Sequence, residues 1–172
     1  MRIVHLALEH EEALRDFLAD FAGAGETEIP AYFAEPAWSH AEIVANFASW
    51  AAGTQLPAGW VPCTTAFLVD DGELLGVSNL RHSLTDFLRQ YGGHVGYSVR
   101  PSARGRGHAT RLLEGTKQHA RRLGIERLLL TCDPDNAPSI RVIEKCGGVF
   151  ADEIFHETMQ ASVCRYWIEL PR

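Results

Sequence analysis

The sequence predicts an α/β protein, a mixed sheet with helices on both faces, and three observations predict it. Segments rich in β-branched and aromatic residues alternate with segments whose apolar residues recur at helical spacing, in the order β-α-α-β-β-β-α-β-α-β-β. Glycine and proline stand at most of the boundaries between them. No repeat, low-complexity tract or long linker interrupts the 172 residues, of which 46% are hydrophobic. That length and composition fit a single domain, 1–172, able to bury a core without disulfides or a structural metal.

Each element has its own warrant. Residues 2–8 suit a first strand. Ala13, Leu14, Phe17, Leu18 and Phe21 form the stripe of a helix over 10–22, stopped by Gly23 and Gly25. In the second helix Ser39 supplies a cap, Ile43, Val44, Phe47 and Trp50 the stripe, and Gly53 the stop. Between them TEIPAYFAEPAW, with Pro30 and Pro36 among aromatics, is too irregular for either element and too apolar for idle solvent, which suits a segment covering a cleft. Strands over 65–69 and 73–80 flank Asp70, Asp71 and Gly72, a hairpin closed by an Asp-Gly turn. RHSLTDFLRQYGG reads as a short helical excursion before a strand over 94–99, in which Gly96 marks a bulge or a close backbone approach. A helix to Leu123 stopped by Gly124, a strand over 127–131, a helix over 136–146 stopped by Gly147 and Gly148, and strands around 149–155 and 163–170 complete the chain.

Composition narrows the function. A formal net charge of −6 and a pI near 5.7 argue against broad nucleic-acid binding. Cys63, Cys132, Cys146 and Cys164 show no CxxC pairing and suit reduced, buried thiols rather than a metal site. Neither a signal-peptide pattern nor an apolar run of membrane-spanning length is present, so a soluble, cytoplasmic protein with no membrane or nucleic-acid partner is expected.

Against that acidic background, RPSARGRGHATRLL concentrates positive charge and bare backbone. Pro101 ends the strand before it, because its ring fixes φ and removes a donor. The chain then turns through Gly105 and Gly107 into a helix, whose first N–H groups lack partners and carry partial positive charge. Such a loop can wrap a pyrophosphate, with Arg104 and Arg106 adding full charges. No GK[ST] follows and the third glycine of the dinucleotide fingerprint is missing, so neither nucleotide motif applies.

The stretch RPSARGRGHATRLLEGTKQHARRLGIERLLLTCDPDNAPSIRVIEKCGG resembles the GCN5-related N-acetyltransferase (GNAT) family. Arg104, Gly107 and Ala109 fill the fixed positions of its Q/R-x-x-G-x-G/A motif. Asn136 and Ser139 match its Asn-x-x-Ala/Ser helix start, and Glu144, Lys145 and Gly147 its Glu-Lys-x-Gly. The clear resemblance covers residues 94–150, and GGHVGYSVRPS, LLTCDPDN and RYWIEL are similar to a branch of predicted acetyltransferases.

The resemblance implies a mostly antiparallel sheet with two splayed central parallel strands, 94–99 and 127–131, and acetyl-CoA as co-substrate between them. Backbone N–H groups of Arg104, Gly105, Arg106, Gly107, His108 and Ala109 would hold the pyrophosphate. The backbone near Val99 would pair with the pantetheine arm, and Asn136 and Ser139 would line its other side, with Asn136 also able to cap its helix. The implied reaction is direct acetyl transfer, without metal, to a primary amine of a small molecule or peptide. His94 is the first candidate for the base that takes the amine proton, with Glu28, His82 and Asp133 as water-relayed substitutes. Many relatives carry a tyrosine acid where this chain has Ile143, so Tyr97 and Tyr166 stand as substitutes for it. Arg81, His82 and Arg89 can meet a carboxylate or phosphate on the acceptor, and Trp38, Trp50 and Trp60 either wall a pocket or fill the core. A non-catalytic acyl-CoA sensor of the same fold is the alternative, and a homodimer stays open.

Overall fold

The computed structural model describes residues 1–157 and 160–171 and contains a seven-stranded sheet with the order β1-β2-β3-β4-β5-β7-β6. The strands are β1 (Arg2–Val4), β2 (Cys63–Asp70), β3 (Glu73–Arg81), β4 (Val95–Val99), β5 (Arg127–Cys132), β6 (Val149–His156) and β7 (Ala161–Glu169). All neighbours run antiparallel except β4 and β5. The helices are α1 (Glu11–Gly23), α2 (His40–Ala51), α3 (His108–Arg122) and α4 (Ala137–Lys145).

Helices cover both faces, as the alternating pattern predicts. Leu14, Phe17 and Phe21 of α1 and Ile43, Phe47 and Trp50 of α2 pack with Phe67 and Val77 on one face. Leu112, Leu113 and Ala120 of α3 and Ile143 of α4 pack on the other, against Leu68, Leu75, Leu128 and Leu130. Each fully buried Leu or Phe contributes about 1.5–3 kcal/mol. Ser39 caps α2 in a reciprocal box with Glu42. The β2–β3 turn has Asp71 at φ 47° and Gly72 at φ 86°, the pair of left-handed residues that a two-residue hairpin needs.

One local expectation needs correction and another is narrowed. The first strand ends at Val4 rather than residue 8, because Ala7 N–H donates to His10 Nδ1 and the chain turns there while Leu6 drops into the core. Of the two expectations for Gly96 the bulge is absent, since β3 and β4 pair without a register shift through it, and the close backbone approach is present, made by Ala31.

Candidate active site

β4 and β5 meet at one end only. Val95 pairs with Leu130, and His94 N–H donates to Leu129 C=O at 2.7 Å. Gly93, at φ 62°, makes this junction possible, because a Cβ there would lie 2.7 Å from the Leu129 carbonyl oxygen. Beyond the junction, among the described residues, no strand pairs with β4 on its β5 side. His94 C=O accepts from Arg81 and Arg100 N–H donates to Leu75, so the even residues of β4 serve β3 and the amides of Tyr97 and Val99 face the opening.

At the open end lies the loop from Arg104 to Ala109. No hydrogen bond reaches the N–H groups of Gly105, Arg106, Gly107, His108 or Ala109 among the described residues, and α3 has no side-chain N-cap. Gly105 (φ 76°) and Gly107 (φ 81°) are left-handed, and a Cβ on either would meet nothing within 4 Å, so open space lies before these donors. The loop therefore fits an anionic diphosphate, with free amides converging at the positive end of a helix.

Its two arginines differ. Arg106 is exposed and has no partner among the described residues. Arg104 is committed: its guanidinium holds Glu26 through two bonds of 2.6 and 2.7 Å, and its Nε donates to Val99 C=O at 3.0 Å. That corrects the expectation of a full free charge from Arg104, whose backbone N–H is also spent, donating to Pro101 C=O at 3.3 Å rather than waiting for a pyrophosphate, and leaves the Val99 N–H, not its carbonyl, for a bound chain. Asp20 makes a second tie, accepting from Arg100 Nε, Ser102 N–H and Ser102 Oγ. His108 is buried within electrostatic range of Asp70, so its backbone rather than its ring is offered to the loop.

Tyr97 and Ser139 meet in the split, where the Tyr97 hydroxyl lies 2.9 Å from Ser139 Oγ and bridges β4 to α4. Burial pushes the Tyr97 hydroxyl up to about 12, against a lowering by the Ser139 hydrogen bond, so it keeps its proton at neutral pH. Asn136 caps α4 by accepting from Ser139 N–H at 3.1 Å. Cys132 is buried, and burial with Cys164 and Asp133 nearby holds its thiol up at about 11. Tyr166 is corrected to a core residue, buried against Phe150 among the α4-side side chains, with no hydrogen-bond partner among the described residues. Ile143 is fully buried in the same cluster.

His94 does not serve as the expected base. Its Nδ1 accepts the Leu129 N–H at 2.9 Å, so the neutral ring carries its proton on Nε2 and has no lone pair left. Burial, and then Arg81, Arg89 and Arg127, lower its pKa to about 4. The unfolded chain thus binds a proton near pH 6.5 that the native one refuses until about pH 4. The resulting stability is full above pH 6.5 and lost as pH falls to 4, about 3 kcal/mol in all. Urea denaturation at pH 7 and pH 4.5 should show this loss in the wild type and a smaller one in His94→Gln; equal losses would refute the assignment.

The other substitutes separate. His82 bonds Thr64 Oγ1 at 2.8 Å, and Thr64 in turn meets His119 of α3, placing His82 on the face opposite the 26–38 segment. Glu28 lies in that segment, between Glu26 at Arg104 and Pro30, whose carbonyl accepts from Ser98 Oγ. Asp133 is exposed just beyond the end of β5. Of the tryptophans, Trp50 is core, Trp38 packs on it, and Trp60 is 38% exposed at a cavity rim with Arg81. Arg89 is exposed beside His94 at a second cavity.

A sheet parted between two parallel strands, with unpartnered helix-start amides at the open end, gives an α/β protein able to seat a diphosphate-bearing ligand in the split. A family model described as an acetyltransferase (GNAT) domain matches residues 2–149, and the chain belongs to that family. No curated protein matches it in sequence. Among solved structures, yncA from Salmonella typhimurium, determined with its cofactor acetyl-CoA, superposes with a TM-score of 0.64 at 16% identity, over 99% of this chain and 94% of that one. The Salmonella typhimurium acetyltransferase that modifies the N-terminal serine of ribosomal protein L7/L12 gives 0.67 at 17% identity, over 98% and 94%. An N-acetyltransferase from Staphylococcus aureus Mu50 gives 0.66 at 18% identity, over 99% and 98%.

Proposed function

We propose that this acetyltransferase moves an acetyl group from acetyl-CoA directly to a primary amine of a small molecule or peptide. The observation that carries the assignment is the run of unpartnered amides from Gly105 to Ala109 at the mouth of the β4–β5 split. The acetyl-CoA in yncA supports the donor, and the serine acetylated by the L7/L12 enzyme is consistent with a peptide or protein acceptor. When bound, acetyl-CoA supplies a thioester, whose acyl carbon is open to an amine.

The chain's residues then have these roles. The amides of Gly105 to Ala109 and the Arg106 guanidinium bind the diphosphate. The Tyr97 and Val99 amides orient the pantetheine arm as a strand would. Asn136 fixes the start of α4, which presents Ser139 to Tyr97, and Tyr97 Oη holds the proton available to the departing sulfur. Because the Cys132 thiol is held up at about 11, it is a poor nucleophile, which favours direct transfer over an acyl-enzyme. Glu28 and Asp133 are the exposed carboxylates that take the amine proton through water.

Release of free CoA thiol, measured over a panel of small amines and short peptides, tests the proposal. Acceptor-dependent release is expected. Tight acetyl-CoA binding by calorimetry, with no acceptor-dependent release anywhere in the panel, would instead mark an acyl-CoA sensor.

A further inference from the structure

On the sheet face opposite α3 and α4, a cavity of about 380 Å³ opens between β3, the segment after α2 and the turn before β4. Phe33, Trp60, Phe87 and Leu88 wall it, and the Phe33 and Trp60 rings meet edge-on, 5.2 Å apart. Two polar residues of β3 on the same side, Asn79 and Arg81, stand among them.

Both are incompletely satisfied. Arg81 lies 5.9 Å over the Phe33 ring, and one terminal nitrogen donates to the Gly92 and Gly93 carbonyls at 2.8 and 3.1 Å. Its Nε and other terminal nitrogen have no hydrogen bond, and no carboxylate pairs with it, among the described residues. Asn79 donates to Thr65 Oγ1 at 3.1 Å, while its Oδ1 is buried at the cavity floor with no partner. The orphaned, buried carbonyl oxygen is costly unless a partner meets it, while the unbonded edge of the Arg81 guanidinium, reached by solvent, is open to a ligand anion. Asn79 also stands opposite Gly96 in the β3–β4 register, one strand spacing of about 4.8 Å from the strand that borders the split.

We propose that this cavity is the acceptor site, and that it takes a free amino acid with an apolar or aromatic side chain. The assignment rests on the acetyltransferase function above. The carboxylate is held by the free edge of Arg81, the side chain lies among Phe33, Trp60 and Phe87, and the amine lies on the Asn79 side of the cavity, toward β4. In the reaction the amine nitrogen bonds the acetyl carbon, the carbon–sulfur bond breaks, and the proton lost by nitrogen is balanced by one gained at sulfur. The products are an N-acetyl amino acid and free CoA.

The test compares phenylalanine, tryptophan, leucine and methionine with their carboxamides, their decarboxylated amines and a serine-initiated peptide, by CoA thiol release. The amino acids should show kcat/KM at least about tenfold above the others, as expected when a charge-assisted hydrogen bond is lost. Arg81→Met should raise KM for phenylalanine about 10–100-fold with unchanged acetyl-CoA affinity. Because Arg81 also holds Gly92 and Gly93, Trp60→Ala on the partly exposed wall is the second variant, and should weaken phenylalanine binding to the CoA-saturated protein in calorimetry. Carboxamides, plain amines or the peptide used as well as the amino acids would overturn the assignment. If acetyl-CoA binds but no amino acid does, the acceptor assignment alone falls; if acetyl-CoA does not bind the wild type, both fall.

Discussion

Gly107→Glu should weaken acetyl-CoA binding by at least about 100-fold, an effect of roughly 3 kcal/mol. Two causes act together. Gly107 precedes α3 at φ 81°, a left-handed conformation that costs a side-chain-bearing residue about 1–2 kcal/mol. The space before it is open, so the new side chain clashes with nothing in the protein and instead sets a carboxylate where the free amides and the helix dipole await an anion. Gly107→Asn separates the causes, since asparagine tolerates the left-handed region and brings no charge; it should retain most of the affinity. Calorimetry with acetyl-CoA gives the answer, and wild-type affinity in a folded Glu variant would show that the diphosphate lies elsewhere.

Tyr97→Phe should lower kcat about 10- to 100-fold while changing KM for acetyl-CoA little. General acids commonly contribute about 10²–10⁴-fold, and the lower figure reflects a thiol leaving group that departs well unaided. With its hydroxyl held near 12, Tyr97 should produce no alkaline fall in kcat below pH 10. Removing it costs one hydrogen bond to Ser139, about 1 kcal/mol of stability, so a thermal midpoint lowered by only about 2–4 °C beside a low kcat would place the loss in the chemistry. An unchanged kcat would remove Tyr97 from the proton path.

Much of this was legible in the sequence because it is local. Gly105 and Gly107 before an apolar helical stripe, Asn136 three residues before Ser139, and the Asp-Gly hairpin each reflect contacts within four residues or so of chain. The pairs that complete the site are distant: Glu26 with Arg104, Asp20 with Arg100 and Ser102, Tyr97 with Ser139, His94 with Leu129. Periodicity does not encode such partners. His94 shows the consequence, since its type and place suggested a base while an amide 35 residues away had taken its lone pair. Arg104 shows another, because a motif position marks a residue without saying which way its side chain turns. The unpaired state of Arg81 is likewise a property of the folded surroundings, invisible in the string RHSLTDF.

The parting between β4 and β5 leaves two antiparallel ribbons, β1 to β4 and β5 with β7 and β6, sharing a short seam at Val95 and Leu130. Each ribbon has an inner rim that no other strand satisfies. On the proposed function, a coenzyme laid along those rims would act as the missing strand, joining the halves as well as delivering the reagent. The folded state would then be tied to supply by mass action, gaining about 2.7 kcal/mol at one hundred times the dissociation constant.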